Sequence, residues 1–137
     1  MKADVEVSKL MTREPTTASP EDRVSSVHAV MRKEGIHHIA VVDNGRFVGL
    51  LSANDLLRIA FGDPYRMDPE LVDKDLELFK AREVMAEDVV TISPTQSVRD
   101  AAKKLADGAF HALPVVEDDQ LVGIVTSTDL ILYLIDD

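Results

Sequence analysis

The segment Gly49-Leu50-Leu51-Ser52-Ala53-Asn54-Asp55-Leu56 returns, slightly altered, as Gly123-Ile124-Val125-Thr126-Ser127-Thr128-Asp129-Leu130. The offset is 123 − 49 = 74 residues, and it also joins Met11 to Met85, Ser19-Pro20 to Ser93-Pro94, His37 to His111 and Val41-Val42 to Val115-Val116. No gap is needed between these matches. The chain is therefore two copies of one unit, and such a repeat has to be recognised before any fold is assigned. In a chain of 137 residues each copy is short. The copies are expected to bury a joint core rather than fold independently.

That core has to be aliphatic, because aromatic residues make up 4% of the chain and Trp is absent. A formal net charge of −10 repels phosphate backbones, which argues against a nucleic-acid partner. The basic pairs Arg32-Lys33 and Lys103-Lys104 have acids close by. No cysteine is present, so disulfides and thiolate metal sites are excluded. The stretch from Met1 to Leu10 lacks the apolar centre of a signal peptide. No apolar run approaches the roughly 20 residues of a membrane helix. A cytoplasmic protein without membrane insertion is expected.

The elements follow from local signals. Ser8–Met11 reads as a helical turn and Pro15–Ala18 as extended. Ser19, as N-cap before Pro20, is expected to open a helix, with Val24, Val27, His28 and Met31 on one face and Gly35 closing it. A strand over Ile36–Val42, a tight turn at Asp43-Asn44-Gly45 and a strand over Arg46–Leu51 form a hairpin, followed by a helix from Ser52 to about Phe61. Gly62-Asp63-Pro64 stops that helix. An inserted helix beginning at Asp68-Pro69-Glu70 is expected between the copies, with Val72, Leu76 and Phe79 on one face. The second copy repeats the pattern: Val89–Ile92 extended, a helix opening at Ser93-Pro94 with Val98, Ala101, Ala102 and Leu105 inward, strands Phe110–Val116 and Gln120–Val125 around an acidic turn, and a terminal helix from Ser127. The division is residues 7–62, a linker over 63–80, and residues 81–137. The class is α+β, β-α-β-β-α in each copy, with small sheets covered by helices.

The repeated motif has two readings. Ser/Thr-x-x-Asp before an apolar helix is a capping box, worth about 1 kcal/mol per helix. The motif also lies where a strand gives way to a helix N-terminus, which attracts oxygen-bearing ligands. Gly49 and Gly123 either ease packing or let a ligand approach. An Asp there can accept hydrogen bonds from a vicinal diol, with the hydroxyl of Ser52 or Thr126 beside it. The two roles are compatible.

A hairpin followed by Gly-x-x-[Ser/Thr]-x-x-Asp-Leu, in tandem, resembles the cystathionine-β-synthase (CBS) domain pair, or Bateman module. Leu10-Met11-Thr12 and Val84-Met85-Ala86, the Thr17-x-Ser19-Pro20 and Thr91-x-Ser93-Pro94 joins, and Leu113-Pro114-Val115-Val116 agree with it. The resemblance runs from about Val7 to Ile131, outside the insertion at 64–80. It implies a pseudo-two-fold pair with clefts between the repeats that take adenosine-containing ligands: AMP, ADP, ATP, S-adenosylmethionine or NAD. Asp55 and Asp129 would hold ribose hydroxyls, with Ser52, Asn54, Thr126 and Thr128 beside them. Thr16, Thr17 and Ala18, with Val90, Thr91 and Ile92, would border the base through backbone groups. So would His37, His38, Ile39 and Ala40, and His111, Ala112, Leu113 and Pro114. His37 and His111 match a position that faces phosphate in some relatives. Ala40 stands where the family often has Pro, while Pro114 keeps it, and where some relatives carry a basic residue this chain has His38 in the first copy and the neutral Ala112 in the second, so the two clefts are expected to differ. A homodimer joined through helices is also implied.

No enzyme is expected. The chain has no Walker-type glycine loop, no Gly-x-Ser-x-Gly and no His-Glu-x-x-His. His28 reads as a core residue on an apolar helix face. His37 and His38 point to opposite faces of a strand and cannot chelate one metal, so no metal is expected. The leading function is a stand-alone regulatory module that binds an adenine nucleotide and signals by changing shape. The alternative is a ligand-free dimerisation or protein-interaction module, or a sensor of S-adenosylmethionine or NAD.

Overall fold

The computed structural model of the protein describes residues 2–61, 76–107 and 111–136. In chain order the elements are β1 (Thr12–Arg13), β2 (Thr17–Ala18), α1 (Val24–Glu34), β3 (His38–Asp43), β4 (Arg46–Ser52), α2 (Ala53–Phe61), α3 (Ala81–Val84), α4 (Val98–Ala106), β5 (Ala112–Glu117), β6 (Gln120–Thr126) and α5 (Ser127–Ile135). Short 3-10 turns at Lys2–Asp4 and Val7–Lys9 precede them. This is the expected mixed α+β fold. In the second copy the first strand shrinks to a parallel bridge between Ile92 and Val115. The expected inserted helix from Asp68 lies mostly outside the described residues. Of its proposed inner face, Leu76 is fully buried and Phe79 packs on the core.

The chain divides into two compact units. The amino unit comprises Thr16–Asn44 and Val48–Val89; the carboxyl unit comprises Met1–Pro15, Gly45–Phe47 and Val90–Asp137. Each has its own aliphatic cluster. Val24, Val27, Met31, Ile39, Val41, Leu51 and Leu56 are joined by Ala81 in the amino unit. Ile92, Val98, Leu113, Val115, Val125 and Leu130 are joined by Val7 in the carboxyl unit. Each core is thus completed by a residue from the other copy's lead-in segment.

Backbone bonds make that exchange. In the carboxyl unit Val7 N–H donates to Gln96 O at 2.8 Å and Val98 N–H to Val5 O at 2.8 Å. In the amino unit Ala81 N–H donates to Asp22 O at 2.8 Å and Val24 N–H to Phe79 O at 2.9 Å. Each bond has its counterpart 74 residues away along the chain.

The two Ser-Pro helix starts need correction: α1 begins at Val24 and α4 at Val98. Ser19-Pro20-Glu21-Asp22 instead folds as a turn closed by Asp22 Oδ2, which accepts from Ser19 N–H at 2.9 Å. Ser93 N–H donates in the same way to Gln96 Oε1 at 2.9 Å. The lead-in carbonyls then take up the free N–H groups of Val24 and Val98, an orphan donor that a side-chain cap alone would otherwise have to satisfy. Ser97 adds a capping box with Asp100. The expected face of α1, Val24, Val27, His28 and Met31, is buried. On α4 Val98 and Ala101 are buried but Ala102 is exposed, because its methyl, at the edge of the stripe, is too short to reach the core.

Gly35 ends α1 at φ 67°, as expected of a C-cap. Asn44-Gly45 and Asp118-Asp119 all take positive φ, which gives both hairpins turns of the twist their strands require. β5 and β6 pair antiparallel from Ala112↔Thr126 to Glu117↔Gln120, with an irregularity at Val115/Val116. β2 pairs parallel with β3, Thr17↔Ala40 and Ala18↔Val41.

Candidate functional site

In the amino unit three stretches of candidate residues meet through the backbone. β2 lies alongside the start of β3. The Ala53 N–H at the head of α2 donates to His37 O at 2.9 Å, which ties the helix N-terminus to the start of β3. Ser52 Oγ accepts from Asp55 N–H at 3.0 Å. Thr17, His37 and Asn54 are exposed, while Thr16, His38, Ser52 and Asp55 are half-buried. Ala18, Ile39 and Ala40 are buried, so they can offer a ligand only backbone groups.

The carboxyl unit assembles the equivalent residues. Ile92 N–H donates to Pro114 O at 3.0 Å and Ile92 O accepts from Val116 N–H at 2.9 Å. Ser127 N–H donates to His111 O at 2.9 Å, the counterpart of the Ala53–His37 bond. Thr126 Oγ1 accepts from Asp129 N–H at 3.1 Å, and Asp129 Oδ2 accepts from Thr126 N–H at 2.9 Å. The capping box is therefore real here. It engages one carboxylate oxygen of Asp129, Oδ2. Val90, His111 and Thr128 are exposed, and Thr91, Thr126 and Asp129 are half-buried. Ile92, Ala112, Leu113 and Pro114 are buried.

Each unit thus combines strand edges with backbone groups, a helix N-terminus carrying partial positive charge, and a carboxylate on the first turn of that helix. Such a combination can accept hydrogen bonds from a diol and flank a flat ring. Among the described residues, all the candidates of one copy lie in one unit.

The two glycines of the motif serve packing. A Cβ on Gly49 would stand 2.5 Å from Met85 Sδ, and one on Gly123 would stand 2.6 Å from Met11 Sδ and 2.9 Å from Thr12 O. The methionines that matched at the repeat offset are the reason for the glycines. Of the two sequence readings for these positions, close packing accounts for both.

Two charged residues beside the candidate sites escaped the sequence reading. The Thr16 hydroxyl donates to Glu34 Oε1 at 2.8 Å. Lys104 Nζ donates to Thr91 O at 2.7 Å. Neither contact recurs in the other copy, where Val90 replaces Thr16 and Val30 replaces Lys104. A departure from the repeat inside an otherwise matching helix was the available signal.

The CBS domain family model matches residues 7–62 and 81–136. The uncharacterized protein MJ1404 of Methanocaldococcus jannaschii is 31% identical over 97% of this chain, which spans 32% of that relative. The crystal structure of the CBS domain of a CBS domain containing membrane protein from Sphaerobacter thermophilus superposes with a TM-score of 0.77 at 28% identity, covering 98% of this chain and 91% of that one. The structure of CBSX2 in complex with AMP has a TM-score of 0.78 at 24% identity, covering 94% of this chain and 95% of the other; at that identity it speaks for the fold. In this chain no helix among the described residues is long and apolar enough to cross a membrane.

Proposed function

This chain belongs to the CBS domain family, with both copies matched, and on that premise we propose that it is a non-catalytic regulatory module whose units bind adenosine-containing nucleotides. The observation that carries the reading is the position of Asp55 and Asp129. Each stands on the first turn of a helix whose N-terminus is tied by its backbone to the strand start at His37 or His111. A ribose diol donates to the carboxylate. The hydroxyls of Ser52 and Thr126 lie beside it, and the strand edges at Thr17 and Thr91 flank the base. AMP is the first ligand to test, because CBSX2 was crystallised with it. ADP, ATP, S-adenosylmethionine and NAD share the adenosine portion. The nucleotide acts as a regulatory ligand, and occupancy of the sites alters how the module engages its partner. The absence of cysteine fits a reducing compartment, and we read the protein as cytoplasmic.

A thermal-shift panel over those ligands tests the reading. A ligand that binds only the folded state stabilises it by about 2.7 kcal/mol at 100 times its Kd. A raised melting temperature with at least one adenine nucleotide is expected, and no shift with any of them contradicts the reading.

The second reading is a ligand-free dimerisation module. It is favoured by the complete capping box at Thr126 and Asp129, and by the exposed Ile131, Leu132, Leu134 and Ile135 of α5. Dimerisation is compatible with nucleotide binding. We propose a homodimer that covers this apolar face, since large exposed apolar patches mark contacts.

A further inference from the structure

We propose that Lys2 and Tyr133 form a releasable clamp on the last turn of α5, and that a second copy of the chain docks on that turn only while the clamp is closed. This rests on the homodimer reading and adds what controls the dimer face. The carbonyls at the C-terminal end of a helix have no partner within it. Here the Lys2 ammonium donates to Leu134 O at 3.3 Å and also to Asp136 O. A cation is favourable at that end, where the helix carries partial negative charge. The same ammonium lies 5.1 Å from the centroid of the Tyr133 ring, within reach of a cation–π contact. Tyr133 answers through its hydroxyl, which donates to Lys2 O at 2.7 Å. Asp4, on the same 3-10 turn, pairs at 3.8 Å with Arg99 of α4.

The clamp can open without unmaking the carboxyl unit. Lys2 and Asp4 are exposed, and exposed ion pairs and hydrogen bonds exchange with water at little net cost. Val7 is fully buried and stays seated through its bond to Gln96 O, and Val98 N–H holds Val5 O. The amino unit is anchored differently. The repeat places Leu76 at the position of Lys2, and Leu76 is fully buried in the amino core. An apolar anchor of that kind is lost only with the core around it. Opening the clamp returns the carbonyls of Leu134 and Asp136 to water and frays the last turn of α5. That turn carries Leu132, Leu134 and Ile135, all exposed. Fraying scatters them, so they form one apolar surface only while Lys2 is in place.

Two measurements on the full chain test this: dimer affinity by sedimentation, and hydrogen exchange of the α5 amides at a dilution that leaves the chain monomeric. Lys2→Gln removes the charge and is expected to weaken the dimer roughly fivefold, the scale of one helix-end cation and one cation–π contact together. Exchange in the last turn of α5 is expected to quicken by a similar factor, with the melting temperature nearly unchanged. Lys2→Arg, which keeps the charge, is expected to hold both at their wild-type values. Faster exchange with unchanged dimer affinity overturns the control of the dimer face. A weaker dimer with unchanged exchange puts Lys2 in the contact itself and overturns the clamp. A wild-type chain that stays monomeric overturns the homodimer reading, and the proposal with it.

Discussion

Gly49 and Gly123 occupy strand positions that a methionine side chain already fills. The three atoms nearest a Cβ on Gly49 all belong to the Met85 side chain, whereas those nearest one on Gly123 include the Thr12 backbone carbonyl beside Met11. A side chain can move and a backbone oxygen held in β1 cannot. We expect Gly49→Ala to cost about 1–3 kcal/mol, typical of overpacking, and Gly123→Ala to cost more. In a double-mutant cycle read by denaturant unfolding, Met85→Ala should recover part of the Gly49→Ala loss, a coupling of roughly 1 kcal/mol. Met11→Ala should recover less in the Gly123→Ala background; equal recovery would contradict the carbonyl's role. Glu21 is a second informative residue. The Lys80 ammonium, 2.8 Å away, holds its carboxyl below the ordinary value of 4.5, and Arg82 adds to this. A carboxyl whose folded pKa is depressed contributes stability above its unfolded pKa, and loses it as pH falls through the folded value. Melting temperatures of wild type and Glu21→Gln should differ slightly near neutral pH and converge in acid below that ordinary value. A gap that persists in acid would contradict the ion pair as its source. In the sequence these residues showed only type and spacing. The methionine contacts, the Glu21 cluster and the Lys104–Thr91 bond all join positions far apart in the chain.

At the scale of elements, α1, the β3–β4 hairpin, the β5–β6 hairpin and α5 were legible because their signals are local. Gly35, Asn44-Gly45 and the apolar spacing of α1 each act within a few residues. The Ser-Pro starts misled because a side-chain N-cap and a serine turn share the same residues. The choice between them is made by Phe79 O and Val5 O, which bind the first helical N–H groups from distant segments. That the lead-in of each copy completes the other copy's core was invisible for the same reason, since the bonds that seat Val7 and Ala81 join distant segments of the chain. α5 makes its own prediction. Ile131, Leu132, Leu134 and Ile135 are exposed on a nine-residue helix. Sedimentation of the wild type at micromolar concentration should report a dimer, and Leu134→Glu should shift it to monomer with its circular dichroism unchanged. A wild-type monomer would contradict the dimer.

At the scale of the whole molecule, the 74-residue repeat specifies two units with matching hydrogen bonds. The candidate site was legible to the same depth. Its strand starts, helix heads and aspartates recur in both units, while the Glu34–Thr16 and Lys104–Thr91 bonds beside them involve residues outside the repeated motif. The central claim is that Asp55 and Asp129 bind ribose in addition to ordering their helices. Asn still accepts the hydrogen bonds of a cap, but it gives up the charge that roughly doubles the strength of a bond from a ligand hydroxyl. The decisive measurement is calorimetric titration of AMP into the wild type and into Asp55→Asn/Asp129→Asn, with melting temperatures of both recorded without ligand. The account predicts a loss of AMP affinity of roughly tenfold or more with a nearly unchanged melting temperature. Unchanged affinity would contradict it, and would reduce the two aspartates to helix caps.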